Sequence, residues 1–279
     1  MLKGKKKISA GCDDCHHAGY TVRTNGNYAR AVLCECVMEC EVCGGSGNVM
    51  RRNDKGYEKI SSCSACGVVR QNVKLYNGAG IPAKYYHVHQ VDAGLSPGSM
   101  NESLQKALIY AKEEFVKKFP TKKGFLLMGA SGLGKTHLAV GTIAELTLGH
   151  GVKCMFKDFF YLLSELKQAY SEGTPENDVI LPLVEAEVLV IDELGKGRSS
   201  EWELNILDQL ISKRYNASRQ TLATTNYVTR EIARERGDTT EILEARVGER
   251  IASRLFEMCE FLYLEGKDYR KKARKAGQL

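Results

Sequence analysis

The stretch KKGFLLMGASGLGKTHLAVGTIAEL constrains the fold of this chain more than any other. Phe125 to Met128 read as a short apolar strand. The next eight residues, GASGLGKT, match G-x-x-x-x-G-K-[ST], and a periodic apolar helix follows and ends at GHG. In that strand–loop–helix setting, backbone N–H groups and a helix N-terminus cradle phosphate oxygens. The expected nucleotide-binding residues are therefore Gly129, Ala130, Ser131, Gly132, Leu133, Gly134, Lys135 and Thr136. Lys135 is expected to reach the β- and γ-phosphates of ATP, and Thr136 to hold Mg²⁺.

Two later segments extend this reading. In VLVIDELG, Val188 to Ile191 form a buried strand, Asp192 stands at its end as a Mg²⁺-holding carboxylate, and Glu193 is placed to polarise an attacking water. TLATTN reads as a strand ending in polar residues, where Asn226 can orient that water or sense the γ-phosphate. Strands are expected at 124–128, 152–156, 188–191, 221–225 and 260–264, separated by helical segments. That pattern predicts an α/β fold with a five-stranded, mostly parallel sheet, crossover helices, and the motifs at the C-terminal strand ends.

The first third of the chain is different. Eight of the ten cysteines lie before residue 67, in four pairs: Cys12/Cys15, Cys34/Cys36, Cys40/Cys43 and Cys63/Cys66. They form a tandem repeat. Cys12, Cys15, Gly19 and Arg23 recur 28 residues later, and Tyr28 and Cys34 recur 29 residues later. The intervals between pairs, 18 and 19 residues, suit structural zinc built from two knuckles. Two Zn²⁺ per chain are expected, each closed by four thiolates with no open position for chemistry. The repeat favours Cys12/Cys15 with Cys34/Cys36, and Cys40/Cys43 with Cys63/Cys66. An interleaved pairing stays open, because CEVCGGSG resembles the zinc repeats of DnaJ chaperones. His16 and His17 read as polar residues beside a knuckle, and Cys154 and Cys259 as small core residues. So small a region has little apolar core, and the metal is expected to supply its folding free energy.

A net charge of +6 gathers in lysines at residues 3–7 and a basic stretch over 267–275, read either as solvated tails or as contacts to nucleic acid. Nothing resembles a secretory signal or a membrane span, so a cytoplasmic protein without membrane contact is expected. Turn formers and prolines divide the chain into a zinc-binding domain (1–70), a linker (71–100) and the nucleotide domain (101–279).

Together GASGLGKTHLA, VLVIDELG, TTN, GERIASRLFE and DYRKKA resemble the DnaC/DnaI helicase loaders and IstB-type transposition ATPases, an AAA+ clade. The resemblance covers about residues 70–279, and CDDCHHAGY with LCEC is similar to the N-terminal pattern of many DnaC-like loaders. It implies an ATPase that forms a homo-oligomer in the ATP-bound state, binds single-stranded DNA, and engages a replicative helicase through the zinc domain. It also implies Arg254 as an arginine finger acting on a neighbouring subunit, with Arg250 as a rival, and Arg270 as the sensor of the γ-phosphate within its own subunit. KDFFYLLSELKQAY corresponds to a DNA-contacting helix, with Lys157 and Lys167 as the expected contacts. The alternatives are a transposition ATPase remodelling target DNA for a transposase, and a zinc-dependent chaperone or adaptor.

Overall fold

The computed structural model describes residues 12–52, 54–93, 100–237 and 242–269. Each cysteine unit is an antiparallel hairpin. β1 (Tyr20–Asn25) pairs with β2 (Tyr28–Leu33), and β3 (Asn48–Arg52) with β4 (Glu58–Ser62). A two-residue turn joins β1 to β2, with Gly26 at φ 57°, the positive value such hairpin turns need. A single turn of helix, α1 (Glu35–Met38), follows β2.

The second unit runs without a break into α2 (Gly67–Gly78), so the expected boundary at residue 70 falls inside one helix. Val73 and Tyr76 of α2 are buried, and Asn72 Nδ2 donates to Leu148 O at 2.8 Å. Asn77 clamps β2: its Oδ1 accepts from Ala31 N at 2.8 Å and its Nδ2 donates to Ala31 O at 2.9 Å. Beyond α2 the chain stays pinned. Phe156 N donates to Ala79 O at 2.7 Å, and Ala29 N to Ile81 O at 2.9 Å. The first part of the expected linker is therefore a packed element. Its buried side chains Ile81, Val88 and Val91 join the same core as Ala29 and Ala31.

The nucleotide domain starts with α3 (Glu102–Ile109), capped by the Asn101 side chain and continued by a π-helical stretch, Tyr110–Val116. Five strands follow: β5 (Gly124–Met128), β6 (Cys154–Asp158), β7 (Val188–Asp192), β8 (Gln220–Thr225) and β9 (Cys259–Tyr263). All pairings are parallel, in the order β6-β7-β8-β5-β9. Between them run α4 (Lys135–His150), α5 (Phe159–Ser171), α6 (Glu176–Glu185), α7 (Glu201–Asn216), α8 (Arg230–Arg236), α9 (Leu243–Val247) and α10 (Glu249–Met258).

Strand alternation builds the layers. Phe125, Leu127, Val188 and Val190 face the core shared with α2, α3 and α4. Leu126, Met128, Leu189 and Ile191 face the core shared with α5, α6, α7 and α10. Both faces of the sheet are covered, which is why its strands read as continuous apolar runs. β6 begins two residues later than its sequence suggests. Gly151, at φ 69°, stops α4, with Gly151 N donating to Thr147 O and Val152 N to Leu146 O. Cys154 and Cys259 are buried, and burial pushes the Cys259 thiol up to about 12.

Candidate nucleotide site and cysteine centres

The glycine loop joins β5 to α4 and needs residues without a Cβ. Gly134 caps α4 at φ 89°, and a Cβ on Gly129 would lie 2.2 Å from Leu264 O. Lys135, buried at 7% exposure, folds back into the loop. Its Nζ donates to Gly129 O at 2.6 Å, Ala130 O at 2.7 Å and Asn226 Oδ1 at 2.9 Å. Thr136 Oγ1 donates to Asp192 Oδ1 at 2.8 Å, and Thr224 Oγ1 donates to the same oxygen. Three sequence-separated motifs thus meet at adjacent strand ends. Burial raises the Asp192 carboxyl above its ordinary range, opposed by the two hydroxyl bonds. A carboxylate and a hydroxyl are hard oxygen donors of the kind Mg²⁺ takes, and the loop's N–H groups at a helix start suit phosphate. The residues present therefore fit a magnesium nucleotide.

Glu193 follows Asp192 in the left-handed region, at φ 55°, where a non-glycine residue is strained. Its N–H donates to Thr224 Oγ1 at 3.1 Å, and its carboxylate pairs closely with Lys196. Arg246 clasps the following loop. Its guanidinium donates to Gly195 O at 3.1 Å from Nε and also to Gly197 O, and it lies 5.0 Å from the Tyr227 ring centroid. Sequence reasoning missed both residues. Lys196 has a weak signal, being three residues from Glu193. Arg246 has none, since its acceptors lie about fifty residues away in sequence.

The expected arginines differ in placement. Arg254 lies against α7, where it donates to Asp208 Oδ1 at 2.7 Å and to Ser212 Oγ, and its side chain is 21% exposed. Arg250 shares the same carboxylate at 3.6 Å and is 72% exposed. The sequence places both on one outward helix face, but Asp208 draws Arg254 inward. Arg270 lies outside the described residues. Its neighbours Asp268 and Tyr269 rest on the glycine loop, with Tyr269 N donating to Gly132 O at 2.9 Å. Lys157 lies on β6, just before the helix, and pairs with Glu165 of α5; Lys167 of α5 sits 5.1 Å from the Trp202 ring centroid. The exposed groups of that helix include Phe160 and Tyr161.

The eight N-terminal cysteines gather into two sets of four, Cys12, Cys15, Cys34, Cys36 and Cys40, Cys43, Cys63, Cys66, as the repeat predicts; the sulfurs of each set lie within 4.8 Å of one another. Cross-pair sulfur distances are 3.6 Å (Cys12–Cys34), 3.7 Å (Cys15–Cys36), 3.9 Å (Cys40–Cys63) and 3.6 Å (Cys43–Cys66). A tetrahedron with Zn–S bonds of about 2.3 Å has edges of about 3.8 Å. The repeat glycines explain themselves here. Gly19 and Gly47 both sit at φ 78°, and their N–H groups donate to Cys15 Sγ at 3.3 Å and Cys43 Sγ at 3.2 Å. Around Cys43, burial opposes ionisation, but the Gly47 N–H and neighbouring thiols outweigh it and bring the thiol down to about 6. Arg70 caps the second set, with Nε 3.4 Å from Cys66 Sγ and a second nitrogen on Val37 O at 3.0 Å and Gly45 O at 2.6 Å. Both sets fit zinc.

Part of the chain resembles known proteins. The replicative helicase loader DnaC of Escherichia coli K12 is 32% identical over 142 residues, a match spanning 50% of this chain and 56% of that protein. The chain thus spans about half the length of such relatives. A protein of insertion sequence IS5376 from Geobacillus stearothermophilus is 34% identical over 94 residues, 34% of this chain and 37% of that protein. The crystal structure of the DnaC helicase loader superposes with a TM-score of 0.55 and 33% identity, over 65% of this chain and 99% of that one. AMPPCP-bound DnaA from Aquifex aeolicus, at 16% identity and TM-score 0.52 over 68% of this chain and 56% of that one, shares the fold. The α/β domain is therefore AAA+-like. Among the described residues no helix is long and apolar enough to cross a membrane. The model of the IstB-like ATP-binding proteins matches residues 104–277, and with most of its length inside that match the chain belongs to this family.

Proposed function

We propose that the chain is an ATP-hydrolysing helicase loader of DNA replication. The observation that carries the reading is the meeting of Lys135, Thr136, Asp192 and Asn226 at one corner of the sheet. Bound ATP with Mg²⁺ supplies the phosphoanhydride whose cleavage drives movement. Lys135 lends positive charge to the β- and γ-phosphates, and Thr136 and Asp192 hold the metal. Glu193 orients a water and takes its proton, with Lys196 holding the carboxylate in place, and Asn226, bonded to Lys135, orients that water or senses the γ-phosphate. Arg254 or Arg250 completes the site of a neighbouring subunit, and Arg270 senses the γ-phosphate within its own. Subunits assemble around single-stranded DNA in the ATP-bound state and release DNA or helicase after hydrolysis. The two cysteine sets each hold one zinc, and the hairpin with exposed Met50 and Ile60 grips the helicase.

The likeness to DnaC supports the helicase as partner. The test measures loading of a replicative helicase onto single-stranded DNA, together with ATP turnover. Lys135→Ala is expected to lose ATP binding and loading, and Glu193→Gln to bind ATP but turn it over poorly. Wild-type turnover in Glu193→Gln would remove that residue from the proton-accepting role. The second reading, a transposition ATPase, draws on the family description and on the insertion-sequence relative. Stimulation of a transposase without any effect on helicase loading would favour it.

A further inference from the structure

Directly across the first hairpin, Arg23 faces Arg30; directly across the second, Arg51 faces Lys59. Like charges set opposite one another on a sheet face repel. The repeat nevertheless makes this arrangement twice, at offsets of 28 and 29 residues. The strands themselves offer little to neutralise it. β1, β2 and β3 contain no acid, and the single acid of β4, Glu58, pairs with Arg52 at 3.8 Å on the other face. The other acids of the two units lie off the strands, at the knuckle end (Asp13, Asp14, Glu35, Glu39 and Glu41) and in the turn of the second hairpin (Asp54). Charge is thus segregated, with cations on the strands.

A tyrosine stands two residues before the second cation of each pair. Tyr28 is 45% exposed and Tyr57 70% exposed. In the first unit Arg30 is partly committed, since it donates to Asn77 O and lies 5.2 Å from the Tyr28 ring centroid. Arg23 is exposed there, and in the second unit both Arg51 and Lys59 are exposed. The other face of the hairpins does not repeat: Ala29 and Ala31 of the first correspond to Glu58 and Ile60 of the second. What the two units retain in common is the pairing of cations with an exposed ring.

We infer that this face of the hairpins binds single-stranded nucleic acid. Arg23, Arg51 and Lys59 hold backbone phosphates, so the repulsion built into each pair is relieved when the polyanion binds. Tyr57 offers its ring to an unstacked base, which selects single strands over duplex. The site is separate from α5 and from the apolar Met50–Ile60 face, and it stands whether or not the chain loads a helicase.

The experiment uses the full chain and a labelled oligo-dT of about 30 nucleotides, with a duplex of the same length as comparison. Binding is read by fluorescence anisotropy across a salt series. Arg51→Gln with Lys59→Gln is expected to weaken binding and to reduce the slope of log K against log salt by about 1.4, or about 0.7 for each lost contact. Tyr57→Ser is expected to weaken single-strand binding with the slope unchanged. Zinc content should stay at the wild-type value, and the thermal midpoint should hold or rise. Unchanged affinity and slope overturn the inference. So does loss of zinc, which makes the cations structural. So does intact oligonucleotide binding with lost helicase capture, which makes the face a protein contact. If Phe160→Ala with Tyr161→Ala alone weakens binding, DNA contact belongs to α5, and the loader reading survives while this inference fails.

Discussion

The two cysteine hairpins share one repeat and one metal-site geometry, yet they hold different places in the molecule. The first is welded to the nucleotide domain: Ala29 and Ala31 are buried against α2, and Val22 packs on the same core. The second stands clear, and its corresponding residues Met50, Glu58 and Ile60 are exposed. Small side chains let the first hairpin approach the helix closely, whereas a charge and a branched chain at the same places give the second no such fit. Two alanines therefore decide which copy becomes scaffold and which stays open for binding.

Removing one ligand from each set tests this most strongly. Cys15→Ser and Cys43→Ser should each lower zinc content by one ion per chain. A structural zinc contributes on the order of 10 kcal/mol. Loss of the first should reach the shared core and lower the thermal midpoint of nucleotide binding. Loss of the second should unfold its hairpin and leave that midpoint nearly unchanged. Equal falls in the two variants, read by calorimetry with and without ATP, would break the contrast.

A smaller effect is expected at Arg70, which touches only the second set. Arg70→Ala should weaken one of the two zinc ions by about 10–100-fold in chelator competition, as loss of an outer partner commonly does. Weakening of both ions, or of neither, would mean that Arg70 serves α2 rather than the metal. Smallest is Asn77, whose two bonds to Ala31 have no counterpart in the second unit. Asn77→Ala should cost about 0.5–1.5 kcal/mol of stability, since its two bonds go to half-buried backbone groups that water can partly satisfy. Urea unfolding measures it, and a change below about 0.5 kcal/mol would place the docking energy in the alanine contacts instead.

Legibility in the sequence followed the range of the interactions. The strands around VLVID and GFLLM were readable because both faces are buried, and the four cysteine pairs because knuckle spacing is local. The phosphate motifs were readable for the same reason. Docking of the first hairpin was not, since Ala29 and Ala31 carry almost no hydrophobic signal and their partner α2 ends in a turn-like Asn-Gly. The inward turn of Arg254 depends on Asp208, forty-six residues away, and the Arg246 clasp on carbonyls at a similar remove. No local pattern reports such pairings.

α4 starts at the phosphate loop and ends where α2 leans on it through Asn72 and Leu148. α2 in turn is capped at its start by Cys66, a member of the second cysteine set. The two helices form a jointed linkage with the glycine loop at one end and a cysteine set at the other. At 12 residues, α2 is about 18 Å long. A tilt of about 10° at its inner end would swing its outer end by about 3 Å, close to a full strand residue of travel. An adjustment at the nucleotide too small to reshape the sheet would then arrive at the second hairpin as a shift in register with whatever it holds.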